Sequence, residues 1–262
     1  MKYGLFSGIL WGLDTVVLGI ALSMSPYIGT AEAIAFAAIG SSFLHDAGCA
    51  IWLMIYMGAK RRLKDTLAAL KTHSGKVVML GALLGGPIGM TGYVIAINNI
   101  GAAYTAIISA FYPALGAFLS FVLLKEKMDK KQVMKDDAVD NETALQIRET
   151  TSALVYGIVV LPLFGAWGFT ASATPSLATG VIALSALAGT ASYLFYYKGI
   201  SVIGAAKAMA LNISYSAWAV VFGFVLQGTV PTPATVFFCV LILAGTVLAA
   251  SDWNELFGRK EA

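Results

Sequence analysis

The chain has 262 residues, of which 58% are hydrophobic and only 12% charged, and its formal net charge is +3. A soluble domain carries about 25% charged residues, so this composition excludes an ordinary soluble protein. The hydrophobic runs are close to the length that a helix needs to cross a bilayer, and longer than the strands of a membrane barrel. We therefore predict an all-α membrane protein, and the small net charge gives no reason to expect nucleic acid as a partner.

Eight hydrophobic runs follow one another along the chain, and we predict each to be a transmembrane helix. They cover residues 3–22, 33–58, 77–97, 100–124, 152–169, 177–197, 203–226 and 232–251. The first run is interpreted as a retained helix and not as a signal peptide, because only Lys2 precedes it and no cleavage-site pattern follows. In the third run, Pro87 predicts a kink that serves either as a hinge or as a packing groove. Asn98 and Asn99 are expected to form a tight turn after it.

The longest polar segment, residues 125–151, divides the chain into two halves. We predict a first repeat of four helices over residues 1–133 and a cytoplasmic linker over 134–151. A second repeat of four helices then covers residues 152–251, and a charged cytoplasmic tail covers 252–262.

Two runs in different halves of the chain are copies of one helix. Residues 100–123 and 203–226 align without a gap; both begin with IGAA, both end with FVL, and Tyr112 in the first matches Tyr215 in the second. Duplicated helices are typical of transporters built from inverted repeats. The sequence therefore predicts a helical bundle made of two such repeats.

The charged residues indicate the orientation of these helices. With the N-terminus in the cytoplasm, all 17 lysines and arginines fall in cytoplasmic segments, if Lys207 reaches the interface from the first turn of its helix. We therefore predict that both termini are cytoplasmic.

Three ionisable residues lie in the middle of predicted transmembrane helices: Asp14 in the first, and His45 and Asp46 in the second. Such residues are costly in a membrane and are therefore candidates for function. The His45–Asp46 pair is predicted to be a polar or coupling pair, since a histidine titrates near neutral pH and can carry a coupling proton. A purely structural hydrogen-bonded pair is the alternative, and Asp14 either faces a cavity or makes a buried hydrogen bond.

Aromatic side chains are the second group of candidates. Tyr112 and Tyr215 occupy equivalent positions in the two copies and would face one central site. Asn212, Tyr215 and Trp218 are spaced by three residues and share roughly one helix face, and Trp11 lies close to Asp14. We predict that these residues line a substrate cavity, although packing is the common role of aromatic residues in helices.

No pattern for a cofactor, a phosphate-binding loop or a catalytic triad is present in the sequence, and we predict that the protein is not an enzyme and uses no cofactor. Cys49 and Cys239 both lie in apolar runs and are interpreted as small hydrophobic residues, not as a metal pair.

Several motifs together resemble the EamA family of the drug/metabolite transporter superfamily, and within it the LicB-type bacterial choline transporters. They are FSGILWGL at 6–13, HD at 45–46, GALLGGPIGM at 81–90, IGAAYTAIISAFYPA at 100–114, LQIRETTS at 145–152 and KAMALNISYSAW at 207–218. The resemblance implies secondary transport, ten helices in a five-plus-five inverted repeat, and uptake of a quaternary amine into an aromatic pocket.

On this basis we expect a secondary transporter of a small organic cation, choline or a relative, in the bacterial plasma (inner) membrane. Trp11, Tyr112, Tyr215 and Trp218 would form the cation–π cage, and Asp14 or Asp46 would offset the charge of the substrate. The alternatives are an amino-acid or metabolite exporter of the EamA kind and a shortened, transport-defective membrane subunit.

The sequence departs from the family pattern at one place. Met134 and Lys135 are adjacent where the family has its fifth and sixth helices, so eight helices remain of the ten. One wall of the cavity would then open to lipid, and we expect that a homodimer closes the gap or that the chain is a shortened form with weak transport.

The orientation can be tested with a reporter fused to the C-terminus. A reporter that is active only in the cytoplasm should give signal, because the basic residues hold that end inside. Activity of a periplasm-specific reporter at the same position would contradict the predicted orientation.

Overall fold

The structure is a computed structural model that describes residues 1–111 and 139–250, and over these residues the chain is helical and has no strand. The first half contains α1 (Lys2–Leu22), α2 (Ala31–Ala59), α3 (Leu63–Ala69), α4 (His73–Leu83), the π-helical segment π1 (Leu84–Met90), α5 (Thr91–Ile100) and α6 (Ala102–Ser109). The second half contains α7 (Asn141–Val155), the π-helical segment π2 (Tyr156–Val160), α8 (Leu161–Leu163), α9 (Trp167–Ala173), α10 (Leu177–Ile203), α11 (Ala205–Asn212), α12 (Tyr215–Gln227) and α13 (Pro233–Ala250). Tyr112, the Met134–Lys135 junction and the predicted tail lie outside the described residues.

Five stretches of the described chain are long and apolar enough to cross a membrane: Lys2–Leu22, Ala31–Ala59, His73–Ile100, Leu177–Ile203 and Lys207–Gln227. A shorter apolar helix covers Pro233–Thr246. The prediction of an all-α membrane bundle is therefore confirmed.

Helix α1 lies in the centre of the bundle, where it packs against α10 on one side and against α11 and α12 on another. Three glycines spaced by four residues make the second contact possible. A Cβ atom at Gly4 would meet Leu211, one at Gly8 would meet the Asn212 carbonyl, and one at Gly12 would meet the Tyr215 carbonyl at 2.8 Å. Small residues at this spacing let helix backbones approach closely within a membrane. The stripe therefore fixes where α11 and α12 cross α1.

The predicted kink at Pro87 takes the form of a π-helical segment, π1. Proline has no N–H group, so the helical hydrogen-bond ladder is interrupted at this point. The Tyr156 hydroxyl, from π2, lies 3.2 Å from the Gly86 carbonyl oxygen and 2.6 Å from the Thr91 hydroxyl. The fully buried side chain of Tyr156, in the second half of the chain, thus supplies a hydrogen-bond donor where the helical hydrogen bonds of the first half are interrupted.

The two sequence copies have the same local backbone over the described residues. Gly101 has φ 81° and Gly204 has φ 82°, and each glycine separates two helices. The following helices end at matching positions, Ser109 and Asn212. Only glycine adopts such a backbone without strain, which explains its presence in both IGAA motifs.

The turn predicted at Asn98 and Asn99 lies elsewhere. Both residues belong to the last turn of α5, and the Asn99 amide donates to the Ile95 carbonyl at 2.8 Å. The chain turns at Gly101 instead, because a glycine adopts a positive φ at a lower conformational cost than an asparagine does.

The predicted cytoplasmic linker is helical from Asn141 onward. Asp140 caps this helix by accepting hydrogen bonds from the backbone N–H groups of Glu142 and Thr143. Helix α7 packs against α2 and α4 and buries Leu145 and Ile147 completely. Hence the fifth hydrophobic run is the continuation of a helix that starts in the polar segment.

An ionic cluster joins the start of α7 to the end of α2. Lys60 Nζ lies 2.7 Å from Glu142 Oε1, and Arg62 pairs with Glu142 at 2.7 Å and with Asp140 at 2.6 Å. Burial acts to raise the pKa of both carboxyl groups, but the hydrogen bonds from Arg62 and Thr143 to Asp140, and from Lys60 to Glu142, outweigh it and lower the pKa. The cluster therefore stabilises the fold at neutral pH and weakens only in acid.

The contact between π1 and α7 can be tested at Gly86. A Cβ atom there would overlap Ser152 and approach Asp46 Oδ2 to 3.2 Å, whereas one at Gly92 would meet nothing within 4 Å. Gly86→Ala should therefore lower the free energy of unfolding by about 1–3 kcal/mol, and Gly92→Ala should leave it unchanged or raise it. Thermal unfolding of the purified protein in detergent measures both, and equal melting temperatures would contradict this packing.

Candidate functional site

A cavity of about 570 Å³ lies inside the bundle, between α1, α2, π1, α7 and α10, with α11 and α12 at its back. Its polar and charged lining residues are His45, Asp46, Arg148, Glu149, Ser109, Ser152, Ser192 and Asn212. Its aromatic lining residues are Trp11, Tyr93, Tyr193, Tyr196, Tyr197 and Tyr215. The volume is within the range of small-molecule sites.

The cavity is closer to one end of the bundle. Along α10 it touches only Ser192, Tyr193, Tyr196 and Tyr197, which lie directly before Lys198. Toward the other end of the bundle, buried apolar residues fill the space between α1, α2 and α10; among them are Leu18, Leu22, Ala37 and Ile182. The cavity therefore faces the end of α10 that carries Lys198.

A buried histidine joins two carboxylates beside this cavity. His45 Nε2 lies 3.1 Å from Asp14 Oδ1, and His45 Nδ1 lies 3.3 Å from Asp46 Oδ1. Asp14, His45 and Asp46 are 2%, 2% and 4% exposed. Because carboxylates accept hydrogen bonds only, the arrangement is satisfied best when both ring nitrogens of His45 carry protons. The imidazole can then move a proton between α1 and α2.

Serine hydroxyls complete the two carboxylate sites. Ser185, on α10, donates to Asp14 Oδ1, and Ser152, on α7, donates to Asp46 Oδ2. Four helices thus contribute to one hydrogen-bonded network in which every ionisable group has a partner. Such pairing is what allows charges to persist in a membrane protein interior.

Four aromatic rings surround one side of the cavity, with Trp11 at their centre. Its ring centroid lies 4.9 Å from that of Tyr193, 6.2 Å from Tyr93 and 6.5 Å from Tyr215. Hydrogen bonds orient two of the tyrosines: Tyr93 OH lies 2.8 Å from the Thr15 hydroxyl, and Tyr215 OH lies 2.7 Å from the Ser109 hydroxyl. This aromatic cluster comes from helices of both halves of the chain.

A charged pair on α7 reaches the same cavity. Arg148 Nη1 lies 3.3 Å from Glu149 Oε1, and Arg148 Nη2 donates to the Tyr193 hydroxyl at 2.9 Å. The guanidinium carbon is 4.4 Å from the centre of the Tyr193 ring. Glu149 is only 4% exposed, and its Oε1 atom receives no hydrogen bond from the described residues.

Most of the residues predicted from the sequence are brought together. Trp11, His45, Asp46, Asn212 and Tyr215 line the cavity, and Asn212 also donates a hydrogen bond to the Ser7 hydroxyl on α1. Asp14 lies behind His45, where it makes the buried interhelical hydrogen bond that the sequence left open as one alternative.

Trp218 is placed differently from the other predicted residues. Asn212 and Tyr215 both line the cavity, whereas Trp218 follows Tyr215 within the same helix, α12. Because three residues turn a helix by about 300°, Trp218 lies about 60° away from Tyr215 around α12. Trp218 contacts the Phe222 ring at 6.1 Å between centroids and lies over Gly12, and it does not line the cavity. Tyr112 lies outside the described residues.

Several cavity residues were not among the candidates predicted from the sequence, and the aromatic and charged ones that matter most for the site are Tyr93, Arg148, Glu149 and Tyr193. Arg148 and Glu149 lie in the segment interpreted as a linker. A usable signal was present there, because Asp140 is a good helix cap and Leu145, Glu149 and Ser152 follow at helical spacing. Tyr93 and Tyr193 carried no signal of their own, since each lies in an apolar run.

The described residues contain no group of three or more histidine, cysteine, aspartate or glutamate side chains that could hold a metal ion. Cys49 lies 3.8 Å from His45 Nδ1 and donates to the Ala186 carbonyl, so it packs against the network as a small side chain.

Comparison with known proteins places these features in context. The model of the EamA-like transporter family matches residues 1–134 and 148–251 of the chain. The chain is also 25% identical over 213 residues to Protein LicB of Haemophilus influenzae, an alignment that covers 64% of this chain and 73% of LicB.

The structural weight of the buried histidine can be tested with a matched control, because the chain has two histidines. His45→Gln leaves Asp14 and Asp46 without their shared partner, which should cost roughly 3–5 kcal/mol of stability. His73→Gln changes an exposed side chain and should have little effect. Thermal unfolding in detergent compares them; a His45→Gln variant as stable as His73→Gln would show that the network carries no stability.

Proposed function

Because the family model matches nearly all of the chain, this protein belongs to the EamA-like transporter family, and we propose that it carries a small organic cation across the bacterial inner membrane. Choline or a related quaternary amine is the proposed substrate. The family resemblance predicted from the sequence is confirmed, and it supports a membrane transporter over an enzyme.

The observation that carries the proposal is the aromatic cluster beside buried carboxylates. A quaternary ammonium has no N–H group and cannot donate hydrogen bonds, so it is recognised by aromatic faces and by negative charge. Trp11, Tyr93 and Tyr193 are partly exposed rings in one cavity, and the buried Tyr215 ring packs against Trp11. A desolvated cation–π contact contributes about 2 kcal/mol, which is enough to select a cation over a neutral molecule of similar size.

The charges around the cavity also favour a cation. The acidic groups in and beside the cavity are the carboxyl groups of Asp14, Asp46 and Glu149, and the basic groups are the Arg148 guanidinium and the His45 imidazole. When all three carboxyl groups are counted as ionised, the formal charge of the set is negative with His45 neutral, and it stays negative by one charge with His45 protonated. A monovalent cation compensates the remaining charge, which would otherwise be costly inside a membrane.

Secondary transport requires access from each side in turn, and we propose that the protein is open toward the cytoplasm. The sequence predicts a cytoplasmic location for Lys198, and the cavity reaches the end of α10 that carries it. The matched glycine turns at Gly101 and Gly204 support inverted repeats as the moving units. In this proposal, His45 binds the coupling proton, because its ring lies between the carboxyl groups of Asp14 and Asp46.

An amino-acid exporter is the second candidate, and Arg148 is the observation that favours it. A guanidinium in the cavity is a natural partner for a substrate carboxylate. Uptake and export assays with choline and with aromatic amino acids in proteoliposomes distinguish the two substrates.

Cation–π recognition can be tested by substitution of the aromatic cluster. Trp11→Ala and Tyr93→Ala should each weaken choline binding by about 1–2 kcal/mol, because each removes one ring face, and Tyr215→Ala should weaken it because the Trp11 ring loses a packing partner. Trp167→Ala is the matched control, since that ring contacts Phe43 away from the cavity. Trp218→Ala tests the cation–π cage that was predicted from the sequence. Because Trp218 lies outside the cavity lining, we expect this substitution to weaken binding less. Unchanged affinity in all three cluster variants would refute a quaternary-ammonium site.

A further inference from the structure

The positively charged side chain of Arg148 lies against one ring of the aromatic cluster, that of Tyr193. Its guanidinium carbon lies 4.4 Å from the Tyr193 ring centre, and Nη2 donates to the hydroxyl of the same ring at 2.9 Å. The Tyr193 ring in turn contacts Trp11 at 4.9 Å between centroids. The guanidinium is therefore already in cation–π contact with a ring of the proposed substrate site.

We propose that Arg148 is an internal competitor: its guanidinium holds the Tyr193 face, and a quaternary ammonium must displace it to bind there. The inference rests on the proposed function, and it names Arg148 as the residue that sets the affinity and the selectivity for cations.

The surroundings of Arg148 allow such a displacement. On one side lies Gly85 of π1, where even an added Cβ atom would stay 3.9 Å from Nε and Nη2, so no side chain clamps the guanidinium there. The Arg148 side chain is 26% exposed, whereas that of Glu149 is only 5% exposed. A long side chain with an exposed route can leave the ring while its carboxylate neighbour remains in place.

Glu149 gives the displaced charge a partner. Its Oε1 atom lies 3.3 Å from Arg148 Nη1 and receives no hydrogen bond from the described residues. When the guanidinium leaves the Tyr193 hydroxyl, it can turn toward this carboxylate and keep an ion pair. The exchange thus gives up a cation–π contact and one hydrogen bond but keeps the ion pair with Glu149.

Two consequences follow for selectivity. A cation that binds aromatic faces weakly cannot displace a guanidinium, which is itself a good cation–π partner. Neutral molecules gain no cation–π energy from the Tyr193 face. Arg148 therefore lowers the affinity for every cation, and it excludes those cations that bind aromatic faces too weakly to displace the guanidinium.

The test measures binding of choline and of tetramethylammonium to the purified full-length protein in detergent by titration calorimetry. Arg148→Met removes the competing charge and should increase the affinity about threefold to thirtyfold, the equivalent of one cation–π contact. Arg148→Lys keeps a positive charge and should gain less. A gain of affinity is the diagnostic result, because loss of a merely structural residue would weaken binding.

A simple change in net charge would also raise the affinity for a cation, and a double-mutant cycle separates the two explanations. In a Tyr193→Leu background the shared face is absent, so Arg148→Met should then change the affinity by less than about twofold. If the gain persists at full size without the ring, the effect is long-range electrostatics and the competition is refuted.

Further variants keep the test decisive if Arg148→Met does not fold. Arg148→Met combined with Glu149→Gln leaves no buried unpaired charge and preserves the net charge of the cavity. Tyr193→Phe keeps the ring but removes the hydroxyl that Arg148 binds, and it should also increase the affinity. Weaker binding of both probes in these variants would overturn the proposal.

The outcomes distinguish this inference from the proposed function. If neither wild type nor any variant binds choline or tetramethylammonium, the cation site itself is wrong and both proposals fall. If wild type binds but Arg148→Met is not tighter, only the competition is wrong. If Arg148→Met selectively loses a zwitterion such as betaine, Arg148 instead binds the carboxylate of the substrate.

Discussion

The fold depends on one buried imidazole that satisfies two carboxylates from different helices. Asp14 on α1 and Asp46 on α2 both lie within hydrogen-bond distance of His45, and hydroxyl groups from α7 and α10 complete their partners. Inside a membrane protein, an ionised side chain that loses its partner is costly. The network therefore fixes the relative positions of four helices, and it does so beside the cavity where charge is useful.

The same physical constraint explains the irregular helices. Where the ladder of backbone hydrogen bonds is broken at π1, the hydroxyl of Tyr156 supplies a donor, and where α11 ends at Asn212 its amide binds Ser7 on α1. Irregular backbone at membrane depth is tolerated where protein groups replace the lost bonds or where it lines a cavity. Both breaks border the cavity, so its shape is set by the places where regular helix stops.

The site was predictable where a residue is unusual for a membrane segment. Asp14, His45 and Asp46 stand out by charge alone, and Tyr215 stands out because the repeat matches it with Tyr112. Tyr93 and Tyr193 did not stand out, because a tyrosine in an apolar run reads the same whether it faces lipid, protein or a cavity. Arg148 and Glu149 were assigned to a cytoplasmic linker because they lie in the longest polar segment, yet they pair with each other and line the cavity.

Composition, the length of the hydrophobic runs and the family motifs determined the class of the protein, since a bilayer accepts only long apolar helices of this kind. The sequence also located the acid–histidine residues and the two matching helix copies, but it placed the turn before the first copy at Asn98 and Asn99 instead of Gly101. Only the tertiary structure decided which aromatic rings share one cavity, that α7 begins inside the polar segment, and that Trp218 lies away from the site. The physical reason is that helix periodicity fixes the direction of a side chain only relative to its own helix, and not which neighbour each face of that helix meets. Here the π-helical break at Pro87, the packing of α7 on α2 and the contact of Trp218 with Gly12 of α1 decided those neighbours.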